Sequence, residues 1–463
     1  MEELRLGVVR GITYGHFGPP DTFVPAAREL GAGAVRAYLY WQQVEPEPGR
    51  FTWDTVDSLL AQLDGEEEAW VTVCSSSLWA TERVTDFLPP SPARDLDAYA
   101  AFVRELVAHC AGRVKYWQCD NEPSIPILWA GTREQYAAQL AVFAAAVREA
   151  DPAATIVLAG MPPTDEHGVF AYLAERSRDH FDVFDIHLYG DAYTIPERIE
   201  ACRALMAAHG YQKPVVAGEY NGPVPFQIPE IFPYLGEVMQ EAMKPAIAEQ
   251  DTSTSDLGRK APEHDAMVAL YERMDELPTE IQMFMDDCPP ETERLRHRWN
   301  SRDIVIRNLL ALSAGIRLTL CWNLAPEMPG VRVPYQIMSF MFDKLKLMDY
   351  EGDALGVPYP SGRALALTNR MLRGAGEVVR REVAGKPELY VFEVDRGSRP
   401  PLVVAWERRD ELTGEDLPPT PFEWPWPHAA VAAVNAHGEA VPARVADGRV
   451  LVELTSAPVF LEA

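Results

Sequence analysis

Trp117-Gln118-Cys119-Asp120-Asn121-Glu122-Pro123-Ser124 is the stretch on which the reading of the chain turns. A mostly apolar run, Val114 to Trp117, leads into a cluster of polar groups that Pro123 cuts off. This is the pattern of a short buried strand ending at a site, where a stiff element holds the polar groups in place. A surface turn is the plain alternative, because Asn, Pro and Ser are all turn formers. The flanking sequence decides between the two.

Short apolar runs alternate with helical patterns on both sides of this stretch. Strands are expected at Leu4–Ile12, Ala34–Trp41, Trp70–Cys74, Val114–Cys119, Thr155–Ala159, Phe181–Leu188, Pro214–Ala217 and Arg317–Trp322. Helices are expected between them at Phe23–Leu30, Trp53–Leu63, Asp97–His109, Arg133–Ala150, Val169–Arg178, Pro196–His209 and Ile304–Ala314. Val56, Leu59, Leu60 and Leu63, and again Phe102, Val103, Leu106 and Val107, recur at helical spacing. Eight such β-α units predict a (β/α)8 TIM barrel over residues 1–373. A doubly wound sheet fits less well, because Arg10-Gly11-Ile12-Thr13-Tyr14-Gly15 after the first strand lacks GxGxxG spacing.

Two regions depart from the alternation. After the seventh strand lies a helical insertion, Val224 to about Arg298, with 16 Asp/Glu against 7 Lys/Arg. Ile231, Leu235, Val238, Met239 and Met243, then Met267, Leu270, Tyr271 and Met274, predict helices, with a mobile link expected at Glu249–Lys260. Loops after barrel strands emerge on the catalytic face, so a lid or a homo-oligomer contact is expected here, against a merely decorative insert. From 374 to 463 short β-rich runs separated by turns, such as Asn435-Ala436-His437-Gly438 and Asp447-Gly448, predict a C-terminal antiparallel β-sandwich. Its Trp406, Trp424 and Trp426 are read as packing residues rather than sugar platforms.

Composition narrows the partners. A formal net charge of −27 disfavours nucleic acid and anionic membrane surfaces but does not repel a neutral ligand such as a sugar. The six cysteines form no CxxC pair and no compact cluster with histidine, so neither a metal nor another cofactor is expected. Neither a signal peptide nor a membrane-spanning run is evident, which makes a cytoplasmic protein the default expectation, with a secreted mature form as the alternative.

If the barrel holds, function collects at the C-terminal ends of its strands. Glu122 ends the fourth strand and Glu219 the seventh, which lie on opposite sides of the ring. Two carboxyl groups facing each other across the mouth suit cleavage of a glycosidic bond, and a separation of about 5–5.5 Å is expected for retention.

The motifs around these two glutamates resemble those of clan A retaining glycoside hydrolases. Asn121-Glu122-Pro123 is similar to the clan's acid/base motif and Gly218-Glu219-Tyr220 to its nucleophile position. Trp41-Gln42-Gln43-Val44-Glu45-Pro46, continued by Gly49-Arg50-Phe51-Thr52-Trp53-Asp54, resembles the second-strand signature. Asp185-Ile186-His187-Leu188-Tyr189 is similar to the sixth-strand pattern of family 39. Asp120, where family 39 commonly has Trp, and the long insertion depart from that family; Gln118-Cys119-Asp120-Asn121-Glu122 is closer to family 42, and the terminal sandwich resembles families 30 and 51.

The resemblance implies a β-glycosidase acting by double displacement on a carbohydrate substrate, with Glu122 as acid/base and Glu219 as nucleophile. It further implies that Asn121 bonds the sugar 2-hydroxyl, Tyr189 holds Glu219, Arg36 balances its charge, and His187 lies near the sugar or the pair. Trp322, with Trp41, Trp79 and Trp129, would stack on sugar. Arg36 and His187 as core residues are the alternative readings of those two. A transglycosylase with the same residues and an inactive carbohydrate-binding barrel are the alternative functions.

Overall fold

Eight parallel strands close into a barrel in chain order: β1 (Arg5–Val9), β2 (Ala34–Tyr40), β3 (Glu68–Cys74), β4 (Tyr116–Cys119), β5 (Thr155–Met161), β6 (Val183–His187), β7 (Val215–Tyr220) and β8 (Leu318–Cys321). The computed structural model describes residues 4–165, 167–247, 261–327 and 335–463. β8 closes the ring by pairing with β1, Leu318 opposite Arg5.

The two-residue period of a strand sorts its side chains between two cores. On β2, Val35, Ala37 and Leu39 face outward and join the large core shared with the helices. Ala34, Tyr38 and Tyr40 join a second core with Trp70, Tyr116, Tyr189, Leu320 and Trp322. Arg36 shares the parity of that inner set and is fully buried. The barrel interior is therefore aromatic and polar at once, and the polar part is what the site is built on.

The predicted helices form close to their expected bounds. The second is Asp54–Gln62, with Val56, Leu59 and Leu60 buried. The next, Leu96–Cys110, begins where the Asp95 side chain accepts from the backbone N–H of Asp97 and Ala98, an N-cap that satisfies groups the first turn leaves open. Arg133–Ala150 starts in a Thr132/Gln135 capping box. The helix expected over 304–314 is the end of a longer one, Pro290–Ser313, which begins inside the acidic segment.

The insertion after β7 has a core of its own. Ile231, Leu235 and Val238 pack with Met267, Leu270, Met283, Phe284 and Phe340. The expected link Glu249–Lys260 and the Met243 side chain lie outside the described residues. Three features between β8 and the C-terminal domain were not expected from the sequence, a short helix Ile337–Phe342, a hairpin of Met348–Glu351 with Ala354–Pro358, and a helix Pro360–Leu372.

The C-terminal domain consists of antiparallel sheets, one five-stranded and one three-stranded. Leu389, Val391, Val403 and Ala405 of one pack against Phe422, Val450, Val452 and Leu454 of the other. The alternate residues Tyr390, Phe392, Val404 and Trp406 face the barrel and join its core. Trp406 is buried and its Nε1 donates to Tyr193 Oη, so it packs the junction as expected. Among the described residues no helix is long and apolar enough to cross a membrane.

Candidate active site

Arg36 is the hub of the barrel mouth. Its Nε donates to Thr72 Oγ1 at 2.9 Å, Nη1 to Gly218 O and Glu219 Oε1 at 3.0 and 3.1 Å, and Nη2 to Gln118 Oε1 and Asn121 Oδ1 at 2.6 and 2.9 Å. All five guanidinium protons are thus used, which is how a buried charge is tolerated. The guanidinium also lies over the rings of Tyr38 and Trp70, 4.8 and 4.9 Å from their centroids. β2, β3, β4 and β7 are tied together at one atom cluster.

Glu219 stands near the end of β7 within a cage of donors. Besides Arg36, Tyr38 Oη donates to Oε1 at 2.5 Å and Tyr189 Oη to Oε2 at 2.9 Å. A cation and two hydroxyls together fix both of its oxygens. Tyr38 was missed in the sequence, although its position two residues after Arg36 puts both on the inner face of β2.

Glu122 has a different setting. It follows β4 in a turn where Asp120 and Glu122 both have positive φ, 51° and 41°. L-residues with side chains seldom occupy this region, so the turn is held by its surroundings. Burial pushes the Glu122 carboxyl above its ordinary range, against the opposing pull of His187. Asn121, between them, accepts from Arg36 through Oδ1 and leaves its amide N–H₂ without a partner among the described residues.

His187 lies between the two glutamates. Nδ1 is 2.6 Å from Glu122 Oε1 and 3.4 Å from Glu219 Oε2, and Nε2 is 3.4 Å from Asp185 Oδ2. The ring lies against Gly160, where any Cβ would fall within 1.9 Å of Nε2. Burial works to lower the imidazole, but Glu219, Glu122 and Asp185 outweigh it and push it up to about 10. Glu122, His187 and Glu219 bring donor atoms within 4.8 Å of one another, the only such trio of His, Cys, Asp or Glu among the described residues. The imidazole thus bridges the two carboxyl groups, a connected set through which a proton can move.

Behind the turn, Asp120 accepts from Ser75 N–H at 2.7 Å, Ser75 Oγ at 2.8 Å and Gln139 Nε2 at 3.2 Å. Gln139 in turn accepts from the backbone of Ala93. Burial pushes Asp120 up to about 7, because neutral donors alone offset it. The residue read only as a departure from a motif thus anchors the Glu122 turn to the loop after β3.

The tryptophans divide. Trp322 packs in the inner core with Tyr38, ring centroids 6.4 Å apart, and its Nε1 has no hydrogen-bond partner among the described residues. The other three do not line the mouth. Trp41 is buried against Phe102, with Nε1 donating to Glu45 Oε2. Trp79 stands edge-on to Trp41 and donates to Glu45 O. Trp129 packs on Tyr136 and donates to Thr132 O. Their indole N–H groups are spent on loop backbone and on Glu45, so these rings brace loops.

No protein-family model matches the chain, and no curated protein matches its sequence. Solved structures do match its fold. A family 39 glycoside hydrolase from Bacteroides cellulosilyticus WH2 superposes with a TM-score of 0.63 at 14% identity, over 100% of this chain and 81% of that one. The shared fold is a (β/α)8 barrel with a C-terminal antiparallel β domain. A family 39 β-xylosidase from Caulobacter crescentus gives 0.58 at 12% identity, covering 95% and 91% of the two chains. A family 51 α-L-arabinofuranosidase from Bifidobacterium longum gives 0.58 at 11%, covering 100% and 97%. At such identities the likeness is one of architecture, barrel and β domain together, and the barrel here carries its own side chains at the mouth.

Proposed function

We propose that this protein is a retaining glycoside hydrolase that cleaves β-linked glycosides by double displacement. The observation that carries the reading is the pairing of Glu122 and Glu219 around His187, with oxygens of the two carboxyl groups within 4.8 Å. That separation leaves no room for the water an inverting enzyme places between its carboxyl groups, and suits direct attack on the anomeric carbon.

The two environments supply the two roles. Glu219, held by Arg36, Tyr38 and Tyr189, is the nucleophile, since both of its oxygens are held and aimed. Glu122, raised by burial, keeps a proton for the leaving oxygen. With the imidazole protonated, Nδ1–H donates to Glu122 Oε1, and the acid's own proton belongs on Oε2. After the leaving group departs, Glu122 is the base that draws a proton from water as it attacks the glycosyl-enzyme. The free amide of Asn121 is suited to the sugar 2-hydroxyl, and Trp322 to the sugar face. A sugar acceptor in place of water would give transglycosylation through the same steps.

Trapping tests this directly. Incubation with 2-deoxy-2-fluoro-β-glycosyl fluorides of xylose, glucose and galactose should inactivate the enzyme with one sugar and add that sugar's mass to the peptide containing Glu219. A label on another residue would overturn the assignment of the nucleophile.

A further inference from the structure

Two aromatic walls stand above the catalytic pair, and neither is used by the chemistry described so far. On the insertion side, Phe226 and Phe342 each meet Tyr189, the ring that holds the nucleophile, at 6.3 Å between centroids. On the opposite side, Phe87 from the loop after β3 packs on Tyr40 at 5.6 Å and on Phe17 at 4.9 Å. Phe87, Phe226 and Phe342 all pack, half-buried, against the inner core that contains Tyr38, Tyr189 and Trp322.

The short helix Ile337–Phe342 shows that the apolar surface faces outward by pattern. Ile337, Phe340 and Met341 pack into the insertion's own core. Met338 and Phe342, four residues apart and so on one face, point away from that core. Phe342 turns to Tyr189 and Met338, one turn away, is 52% exposed. The helix thus carries its apolar stripe past the rim of the site. The imidazole of His16 adds to the opposite wall: it stacks on Tyr40 at 4.4 Å, and neither ring nitrogen has a hydrogen-bond partner among the described residues. Burial lowers it to about 4, so it stays neutral there at physiological pH.

We infer that the leaving-group side of this site takes an apolar aglycone, an alkyl or aryl group, in preference to a second sugar. The inference rests on the retaining-hydrolase reading above and adds the substrate class. The sugar ring occupies the polar floor of Glu122, Glu219, Asn121 and Trp322, and whatever is bonded to it projects outward between the walls. A sugar there has hydroxyls around its rim that need partners, and Phe87, Phe226, Phe342 and Met338 offer none. An alkyl chain or aromatic ring gains by covering these half-exposed faces and loses no hydrogen bond in doing so.

The test compares octyl β-glycosides, β-linked disaccharides and β-glycosyl fluorides of xylose, glucose and galactose on the wild-type enzyme. The octyl glycoside should exceed the disaccharide of the same sugar in kcat/KM by roughly tenfold or more. In Phe342→Ala, and separately in Phe87→Ala, the kcat/KM ratio of octyl glycoside to fluoride should fall by a similar factor, mainly through KM. A purely structural role for these rings would lower both substrates together and leave that ratio in place. If disaccharides are cleaved as well as octyl glycosides, or the ratio survives both substitutions, the inference is wrong and the hydrolase reading stands. If no fluoride is turned over by the wild type, the hydrolase reading fails and the inference with it.

Discussion

Two carboxyl groups of one residue type sit on facing strands of the same barrel and are held by opposite means. Glu219 lies on a regular strand, and its oxygens are taken by Arg36, Tyr38 and Tyr189. Glu122 lies in a turn of positive φ, with an imidazole as its one ionic partner among the described residues and burial as the dominant influence. Surrounding donors hold one by both oxygens, while desolvation raises the other. The chemistry is assigned by the environments, and exchanging them would exchange the roles.

The contrast is broken most severely at the glutamates themselves. Glu219→Ala should lower kcat on every substrate by about 10⁴-fold or more, with azide restoring turnover and giving the glycosyl azide of inverted configuration. Glu122→Ala should cost about 10²–10⁴-fold on alkyl glycosides, yet spare glycosyl-enzyme formation from dinitrophenyl glycosides, whose leaving groups need no proton. Steady-state and burst kinetics on the two substrate classes separate these outcomes. Equal losses on both classes in Glu122→Ala would erase the distinction between acid and nucleophile.

Removing His187 sharpens the comparison, since the ring touches both carboxyl groups. As a cation beside Glu122 it pulls that acid down. In His187→Gln the acid should therefore keep its proton to higher pH, and the basic limb of kcat/KM should move upward. Stability reports the same ring with the opposite dependence. Its folded value of about 10 lies above an unfolded value near 6.5. The stabilisation it supplies is complete below pH 6.5 and is lost as pH rises through 10, so wild type should lose more stability than His187→Gln between pH 7 and 10. Chemical denaturation across that range checks it.

The smallest expected effect lies one layer behind the Glu122 turn. Asp120 is raised to about 7 in the fold, well above its unfolded value near 3.9. Its buried charge accordingly becomes a penalty that grows from about pH 4 to 7. Asp120→Asn should flatten the fall of stability with pH over that window and lower kcat a few-fold as the turn loosens. Denaturation midpoints at pH 4.5 and 7.5 measure the first, and kcat on a dinitrophenyl glycoside the second.

Much of this was legible in the chain. The alternation of apolar runs with helical spacing encodes the eight β-α units, because burial on both faces of a parallel strand and on one stripe of a helix leaves different periods. Glu122 and Glu219 were legible as strand-end carboxylates, and Tyr189 and Arg36 by position. Trp41, Trp79 and Trp129 were expected to stack on sugar and in the structure pack on Phe102, Trp41 and Tyr136, because an indole in a loop looks the same in sequence whichever way it turns. Tyr38 was visible only once Arg36 was known to face inward, since parity along a strand gives relative faces without saying which one is the interior.

By itself, then, the sequence determined the elements and the candidate groups at their ends, since backbone propensity and hydrophobic period act over a few residues. Tertiary structure alone decided what those groups do. Glu122 and Glu219 are 97 residues apart, and only closure of the ring brings them, with His187 between, within 4.8 Å. The long-range fold also sets how much water each one loses and which donors replace it, and in the proposed mechanism those two quantities separate an acid from a nucleophile.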